Sequence, residues 1–226
     1  MNKKNILMVI LIIVMLLITG CSSAGKDALK FKDDYESING LENAAGKIHR
    51  SLSISKNNPF EYTTGKDIIT KIENKETFYV YFGDKLCPWC RSVIEKFIEV
   101  SKDYDVETVY YVPIWDDEGN EILRDKYIVN EEGKLELTIE ADEAYYTLLD
   151  YFQDFLSDYT LTDSDGNILD TGEKRIYAPN FIYVKDGKVI ALTEGISDAQ
   201  TDSREELTNE ILKDEETLFI NFFETK

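Results

Sequence analysis

The spacing of hydrophobic positions changes along the chain, and these changes predict alternating strands and helices. The segment ETFYVYF, residues 76 to 82, is β-branched and aromatic, which is typical of a buried strand. Beyond it, four apolar residues recur at the spacing of one helix face: Val93, Ile94, Phe97 and Ile98. Residues 106 to 113 have the pattern of a second strand. The three elements predict a β-α-β unit.

A hairpin and a helix are predicted near the C-terminal end. Residues 181 to 184 have the pattern of a strand, and Lys-Asp-Gly-Lys at 185 to 188 is a strong hairpin turn. Residues 189 to 193 then return as the antiparallel partner. Ser203 and Glu206 have the spacing of a capping box, which predicts that the terminal helix begins there.

The remaining patterns are less regular, but they divide the rest of the chain into elements. Apolar residues at alternating steps of four and three predict a helix over residues 142 to 159. Further predictions are a strand over residues 50 to 55, a helix over 67 to 73, a hairpin around 130 to 133 and a second hairpin over 160 to 176.

Composition and charge limit the class of protein. The chain has 226 residues, of which 31% are charged and 12% aromatic, and this suits one globular domain with an extension or insertion. Its formal net charge of −19 repels nucleic acid and anionic membrane surfaces. No basic cluster lies beyond the first few residues, so we expect no nucleic-acid partner.

The N-terminal segment has the features of a secretory signal. Lys3 and Lys4 precede an apolar run over residues 6 to 18, about 13 residues against the roughly 20 that cross a bilayer. A buried helix is the alternative interpretation of such a run. The following Ile-Thr-Gly-Cys resembles a bacterial lipobox, in which the cysteine thiol receives a diacylglyceryl group and becomes the mature N-terminus.

This resemblance implies a domain organisation and a location. Residues 1 to 20 are expected to be a lipoprotein signal peptide, and Cys21 the lipid anchor. Residues 21 to 49 are then a tether and N-terminal extension, with a polar tether over 22 to 30. The protein is expected to be a cell membrane lipoprotein whose domain faces the extracytoplasmic side, where a cysteine pair can persist as a disulfide.

Cys87 and Cys90 are the two thiols left once Cys21 is assigned to the anchor. A structural zinc site needs four ligands, and the chain adds only His49. A disulfide between residues three apart closes a small loop and constrains the unfolded chain little. The favoured interpretation is therefore a redox-active dithiol that needs no metal and no separate cofactor.

The position of the pair at a helix start predicts different roles for the two sulfurs. Pro88 suits the first helical position, which places Cys87 at the N-cap. The helix dipole and free amide groups there favour a thiolate and lower its pKa. Cys90 lies one turn deeper and is expected to be shielded. We therefore predict that Cys87 attacks and Cys90 resolves the mixed disulfide.

The strand, the C-x-x-C at a helix start, the second strand and the Tyr-Ala-Pro-Asn segment before the strand at 181 resemble the thioredoxin-like superfamily. Within it the chain is similar to lipoproteins of the bacteriocin-transport-accessory type. The resemblance implies an α/β fold with a central mixed sheet flanked by helices, over residues 50 to 226. It also implies an inserted hairpin region before the middle helix, within an insertion at about 114 to 176.

The same resemblance implies how a client would bind. Pro179 is expected to follow a cis peptide bond beside the cysteines, and the main chain of Ala178 to pair with the client. Trp89, with Pro88, is expected to form an apolar rim facing the client; the alternative is that Trp89 packs on the core. Lys85 and Arg91 are expected to be exposed, and therefore to affect Cys87 only weakly.

The implied activity is that of a membrane-anchored thiol–disulfide oxidoreductase that exchanges disulfides with exported proteins, with a possible membrane redox partner. Reducing members usually carry a buried acid six residues before the first cysteine, and Tyr81 stands there instead. A phenol with a pKa near roughly 10 is a poor base. The direction of electron flow therefore stays open. The alternative is a non-catalytic lipoprotein of the same fold that binds a transporter or secreted peptide.

Overall fold

The structure is a computed structural model, and it describes residues 23 to 225. The expected signal peptide, residues 1 to 20, and the expected lipid anchor at Cys21 lie outside the described residues. Within residues 23 to 225, every helix is too short or too polar to cross a membrane.

Helices and strands alternate through most of the described chain. The helices are α1 (Ser23–Glu36), α2 (Gly65–Glu73), α3 (Pro88–Asp103), α4 (Glu143–Phe152) and α5 (Asn209–Glu224). The strands are β1 (Phe60–Tyr62), β2 (Phe78–Gly83), β3 (Val109–Pro113), β4 (Lys126–Val129), β5 (Leu135–Ile139), β6 (Ser157–Thr162), β7 (Ile168–Arg175), β8 (Asn180–Lys185) and β9 (Lys188–Thr193).

Five of these strands form one mixed sheet in the order β1-β3-β2-β8-β9. Strand β3 runs parallel to both β1 and β2, while β8 is antiparallel to β2 and to β9. The protein is therefore of the mixed α/β class, with helices around a central mixed sheet. The predicted β2-α3-β3 unit is confirmed, and the arrangement is compatible with the thioredoxin-like fold.

Each face of the sheet carries its own apolar core, because side chains alternate between the faces of a strand. On one face, Tyr81 and Phe181 pack with residues of α1, α3 and α5, including Phe31, Phe97 and Phe219. On the other face, the neighbouring strand residues pack with α2 and α4; these are Val80, Phe82 and Ile182. The cysteine-bearing helix thus lies on the more aromatic side of the sheet.

The three predicted hairpins are confirmed. Strands β4 and β5 pair around residues 130 to 133, and β6 pairs with β7. Strands β8 and β9 meet at Asp186 and Gly187, whose φ angles of 52° and 74° are the positive values that a tight hairpin turn requires.

The N-terminal extension differs from the expectation. The polar tether expected over residues 22 to 30 is, from residue 23 onwards, the start of helix α1. Phe31 and Tyr35 of this helix are fully buried and belong to the main apolar core. Their aromatic rings stack on one another with centroids 4.4 Å apart. Residues before position 50 therefore contribute to the core of the domain.

The predicted strand over residues 50 to 55 is wrong. Leu52 and Ile54 are buried, which explains the alternating pattern, but the segment pairs with no strand of the described chain. Its amide groups bind side chains instead: that of Leu52 donates to Asn39 at 3.0 Å, and that of Ile54 to Glu36 at 2.7 Å. Side-chain acceptors thus replace the hydrogen bonds of a sheet.

Two predicted helix boundaries are wrong. Helix α4 ends at Phe152 rather than at residue 159, and Tyr159 lies in strand β6, where it stacks under the Arg175 guanidinium at 3.9 Å. The terminal helix begins after Thr208, whose hydroxyl accepts from the Ile211 amide, rather than after Ser203. In the first case the apolar periodicity ran on from helix α4 into strand β6. In the second case Ser203 and Glu206 have the spacing of a capping box, but no helix begins there.

Arg91 is buried, contrary to the expected exposure, with 1% of its surface accessible. Its guanidinium donates to the carbonyl oxygens of Tyr35 at 2.8 Å and Lys85 at 3.2 Å. It also donates to the Asn39 side chain at 2.7 Å and to the Arg50 carbonyl. The Arg91 side chain of α3 therefore links three segments to this helix: α1, the extension after it, and the loop before Cys87.

We predict that Arg91→Met destabilises the protein by about 3 kcal/mol, because several buried carbonyl oxygens lose their donor while the methionine fills the space. The measurement is the free energy of unfolding in urea. Arg204→Met is the matched control, since Arg204 is exposed and is expected to change stability by less than about 0.5 kcal/mol. Equal effects of the two substitutions would contradict the role given to Arg91.

Glu215 of α5 is a second buried polar group. Its side chain is inaccessible, and neither carboxyl oxygen has a hydrogen-bond partner within residues 23 to 225. Burial raises the pKa of Glu215 to about 7, although the positive charges of Lys96 and Arg50 oppose the shift. The folded protein therefore keeps a proton that the unfolded chain loses near pH 4, and stability falls as pH rises from about 4 to about 7.

We predict that Glu215→Gln removes this fall and stabilises the protein at pH 8 by about 2 kcal/mol, with little effect at pH 4. Urea unfolding at both pH values tests the prediction. The exposed neighbour Glu216 supplies the matched control, Glu216→Gln, which should leave the pH dependence unchanged. A Glu215→Gln variant that is no more stable at pH 8 than the parent would show that the carboxyl is solvated.

Candidate functional site

The two cysteines lie at the N-terminus of helix α3, as predicted. Cys87 is the N-cap residue, and its sulfur accepts a hydrogen bond from the Cys90 amide at 3.3 Å. Pro88 occupies the first turn, where no amide hydrogen is needed. Both side chains are buried: Cys87 is 4% exposed and Cys90 is inaccessible. Cys90 is therefore shielded from solvent, as expected, but Cys87 is nearly as well shielded.

The segment before β8 meets the cysteines from the other side. The peptide bond between Ala178 and Pro179 is cis, as predicted. The Cys87 thiol donates a hydrogen bond to the Ala178 carbonyl at 3.3 Å, although 91 residues separate them in the chain. Pro179 is buried and Ala178 is half-buried. The fold thus brings four positions together: Cys87 and Cys90, which are expected to react, and Ala178 and Pro179, which are expected to bind a client.

The expected rim residues, Pro88 and Trp89, are both half-buried. The Trp89 side chain packs partly against the aromatic core, and its carbonyl accepts from the Ser92 hydroxyl at 2.8 Å. Trp89 is therefore held in place on one side while part of its ring stays accessible. The arrangement suits the apolar rim expected from the sequence.

The surroundings of Cys87 favour its thiolate. Burial alone raises the pKa of Cys87, but hydrogen bonds from the Cys90 thiol and from the amides of Cys90 and Trp89 outweigh it. The positive charge of Arg124 acts in the same direction. The pKa of Cys87 is therefore lowered, as its place at the helix N-terminus predicts.

Cys90 has the opposite tendency. Burial, followed by the hydrogen bond to the Cys87 sulfur and the charge on that sulfur, raises the pKa of Cys90 well above its usual value. The Tyr81 hydroxyl and the Asp84 amide oppose this shift through hydrogen bonds to the Cys90 sulfur. Cys87 is thus the sulfur that ionises first, and Cys90 keeps its proton.

Tyr81 lies directly beneath the cysteine pair, with its ring stacked between those of Phe181 and Tyr111. Its hydroxyl forms a buried hydrogen bond of 2.9 Å with the hydroxyl of Tyr35. The ring passes over Gly83, where a Cβ atom would come within 2.2 Å of the Tyr81 hydroxyl. The glycine at the end of β2 therefore makes room for the tyrosine two residues before it.

A cleft of about 260 Å³ opens beside this region at the carboxyl ends of β1, β2 and β3. Asp84, which is 3% exposed, lines it together with Tyr111. Burial raises the pKa of Asp84 to about 6, against hydrogen bonds from the Leu86 and Trp115 amides. Lys85 also lines the cleft and pairs with Asp117 at 2.6 Å, so its charge is largely compensated.

Sequence reasoning missed a buried group of charges in the inserted region. Arg124 pairs with Glu121 and donates to the Ile176 carbonyl at 3.2 Å, two residues before Ala178. Arg175 pairs with Asp125 at 3.1 Å. The group ties the insertion to the segment that carries the cis peptide bond. The signals in the sequence were Arg124 and Arg175, each close to acidic residues, and an exposed surface shows the same pattern.

Comparison of the sequence with models of protein families gives no match, and neither does comparison with curated proteins.

The geometry limits the chemistry that the site can perform. Within residues 23 to 225 there is no group of three histidine, cysteine or acidic side chains placed to hold a metal ion. The reactive groups at the start of α3 are two thiols, one with a lowered and one with a raised pKa, beside the Ala178 carbonyl that accepts from the Cys87 thiol. Such an arrangement can form, break or exchange disulfides, because the thiolate is the nucleophile in these reactions.

We predict that Cys87 ionises below the value of about 8.5 for a free cysteine, and that the Cys90 side chain contributes to this. The measurement is the rate of iodoacetamide alkylation against pH, on the full chain in detergent with Cys21→Ser. Cys90→Ser keeps a donor to Cys87, whereas Cys90→Ala removes it. The midpoint for Cys87 should therefore be lower in Cys90→Ser than in Cys90→Ala.

Two outcomes would oppose this account of the pair. A midpoint at or above that of free cysteine in Cys90→Ser would mean that burial outweighs the hydrogen bonds. Identical midpoints in the two variants would mean that Cys90 donates nothing to Cys87.

Proposed function

We propose that the protein is a thioredoxin-like, membrane-anchored thiol–disulfide oxidoreductase that exchanges disulfides with exported proteins. The observation that supports this most strongly is the geometry at the start of α3: Cys87 is the N-cap and accepts from the Cys90 amide at 3.3 Å, and its thiol meets the Ala178 carbonyl before the cis peptide bond of Pro179. The pKa of Cys87 is lowered there and that of Cys90 is raised. A structural disulfide has no need of two thiols with opposite acidity. A catalytic pair needs one nucleophile and one sulfur held in reserve.

The reducing direction shows how the residues would act. The Cys87 thiolate attacks a client disulfide, a bond forms between its sulfur and one client sulfur, and the other client sulfur leaves as a thiolate. Cys90 then loses its proton and attacks Cys87. The Cys87–Cys90 disulfide forms as the second client thiolate leaves. The oxidising direction is the same sequence reversed, and both directions need Cys90 to exchange a proton.

The surface around Cys87 supports a protein client. Trp89 and Pro88 offer a partly exposed apolar rim, and the Ala178 carbonyl lies within hydrogen-bonding distance of the Cys87 sulfur. A client main chain that donates to Ala178 is thereby placed beside the reactive sulfur. Anchoring through Cys21 would keep the domain on the extracytoplasmic side of the cell membrane, near exported clients and a membrane redox partner.

One observation favours the second candidate, a non-catalytic protein that binds a transporter or secreted peptide. Cys87 is 4% exposed, which is little for a nucleophile that must reach a client sulfur. A catalytic Cys87 therefore requires the client to displace the Ala178 carbonyl from the thiol. A passive cysteine pair requires no such step.

We predict that the full chain in detergent reduces insulin disulfides in the presence of a thiol reductant, and that Cys87→Ser lowers the rate to the uncatalysed background. The physical reason is that the other thiol of the described residues, Cys90, is inaccessible and has a raised pKa, so it cannot replace Cys87 as the attacking sulfur. Turbidity of the released insulin chain measures the rate. Titration of the pair with glutathione in the same preparation gives its potential, which limits the direction of flow.

Cys21→Ser is the matched control, because it removes the cysteine expected to carry the lipid anchor while keeping the Cys87–Cys90 pair, and it should leave the rate per molecule unchanged. A Cys87–Cys90 pair that stays oxidised under strong reductant, with no insulin turnover, would favour the binding protein instead. Turnover that persists in Cys87→Ser would assign the reaction to a different group.

A further inference from the structure

Three buried tyrosines connect the Cys90 sulfur to the cleft at the carboxyl end of the sheet. The Tyr81 hydroxyl interacts with the Cys90 thiol and forms the 2.9 Å hydrogen bond with Tyr35. Burial raises the pKa of Tyr111, and a hydrogen bond between the Tyr35 and Tyr111 side chains opposes this rise. The two rings have centroids 6.3 Å apart. Tyr111 lines the cleft together with Asp84. Tyr81, Tyr35 and Tyr111 thus lie between the buried Cys90 sulfur and the lining of the cleft, with the Tyr81–Tyr35 hydrogen bond as their shortest link.

The tyrosines of this path are held in place by their neighbours. Gly83 leaves the space that the Tyr81 ring occupies, since a Cβ atom there would overlap it. The buried Arg91 guanidinium binds the Tyr35 carbonyl at 2.8 Å and so fixes the end of α1 against α3. Tyr81 is stacked between two rings with centroids 4.5 and 5.4 Å away. Such packing keeps hydroxyl groups at fixed separations.

Cys90 needs such a path because it is inaccessible to solvent and must give up or take a proton in every cycle. A tyrosine is a poor base at neutral pH, so Tyr81 cannot simply keep the proton. A hydroxyl can nevertheless accept one proton while it donates its own. The Asp84 carboxyl, at the open end of the path, is a suitable acceptor because it is ionised near neutral pH.

We propose that the hydroxyls of Tyr81, Tyr35 and Tyr111 carry the Cys90 proton to the Asp84 carboxylate across the cleft, and return it when the reaction runs backwards. The Cys90 S–H bond breaks as Tyr81 takes the proton, and each hydroxyl passes its own proton to the next. Tyr111 delivers the last one to Asp84 through the solvent of the cleft. No tyrosine becomes charged, and the Cys90 thiolate is left to attack.

This inference rests on the proposed function, because it concerns the resolving step of that reaction. The acceptor end is also surrounded by other charges. Those that line the cleft with Asp84 are Lys30 and Asp34 of α1, Lys85, Asp116 and Asp117. Lys30 stacks on Tyr62, and Lys85 pairs with Asp117, which leaves Asp84 the acid that is buried at the inner wall.

The resolving step can be timed without a client. The full chain in detergent, reduced and with Cys21→Ser, is mixed with a slight excess of Ellman's reagent in a stopped-flow instrument. Cys87 attacks first and releases one thionitrobenzoate. Cys90 then attacks the mixed disulfide at Cys87 and releases the second. The first phase reports on Cys87, and the second phase depends on removal of the Cys90 proton.

The decisive variant is Tyr35→Phe, which breaks the path without touching either sulfur. We expect the second phase to slow by at least about tenfold at pH 7 while the first phase is unchanged. Tyr79→Phe is the matched control, since Tyr79 lies on the same strand as Tyr81 but stacks on Tyr183 outside the path. The double variant Tyr35→Phe/Tyr81→Phe should be no slower than the slower single one, because one break disables the whole path.

Asp84→Asn provides an independent test, and it keeps an acceptor for the Leu86 amide, which Asp84 binds at 2.8 Å. In the parent the second phase should accelerate as pH rises through about 6, the pKa of Asp84. In Asp84→Asn this acceleration should disappear. A second phase in Tyr35→Phe as fast as in Tyr79→Phe, or an unchanged pH profile in Asp84→Asn, would overturn the path.

These outcomes separate the path from the proposed function. Insulin turnover in the parent combined with an unaffected second phase in Tyr35→Phe would leave the oxidoreductase standing and remove the path. A fast, path-dependent second phase without any insulin turnover would retain the path and remove the proposed clients.

Discussion

The arrangement around the cysteines depends on one buried cation. The Arg91 guanidinium, one residue beyond Cys90, donates to main-chain carbonyls of α1, of the extension after it and of the loop before Cys87. A buried charge of this kind is tolerated only when its donors are satisfied. Satisfying them forces three separate segments to converge on the start of α3. Helix α1 thereby becomes part of the site and brings Tyr35 to Tyr81.

The site gains its asymmetry from where each sulfur lies on that helix. The Cys87 sulfur accepts hydrogen bonds from main-chain amides at the N-cap, whereas Cys90, one turn further, is simply buried. The same burial that keeps Cys90 in reserve also isolates its proton. In the proposed path, the tyrosines beneath Cys90 carry this proton through the core to the cleft beside Asp84. Reactivity and proton access are therefore two consequences of a single packing arrangement.

Much of the fold was predictable because its signals are local. The β2-α3-β3 unit, the hairpin at Asp186 and the cap at Cys87 all follow from residues close together in the chain. Predictions failed where local patterns were satisfied by distant partners. The amides of residues 52 and 54 bind side chains of α1 and of the turn after it, and the periodicity through Tyr159 continues into a strand instead of a helix.

By itself, the sequence determined the chemistry available: two thiols at a helix N-terminus, a proline before a strand, and a tyrosine six residues before the first thiol. These are matters of residue type and short spacing. Only the tertiary structure decided that Arg91 is buried, that the charge of Arg124 lowers the pKa of Cys87, that Tyr35 bonds to Tyr81, and that Asp84 lines the cleft with Tyr111. The reason is physical: hydrogen bonds and charges act through space, and 46 residues separate the two bonded tyrosines.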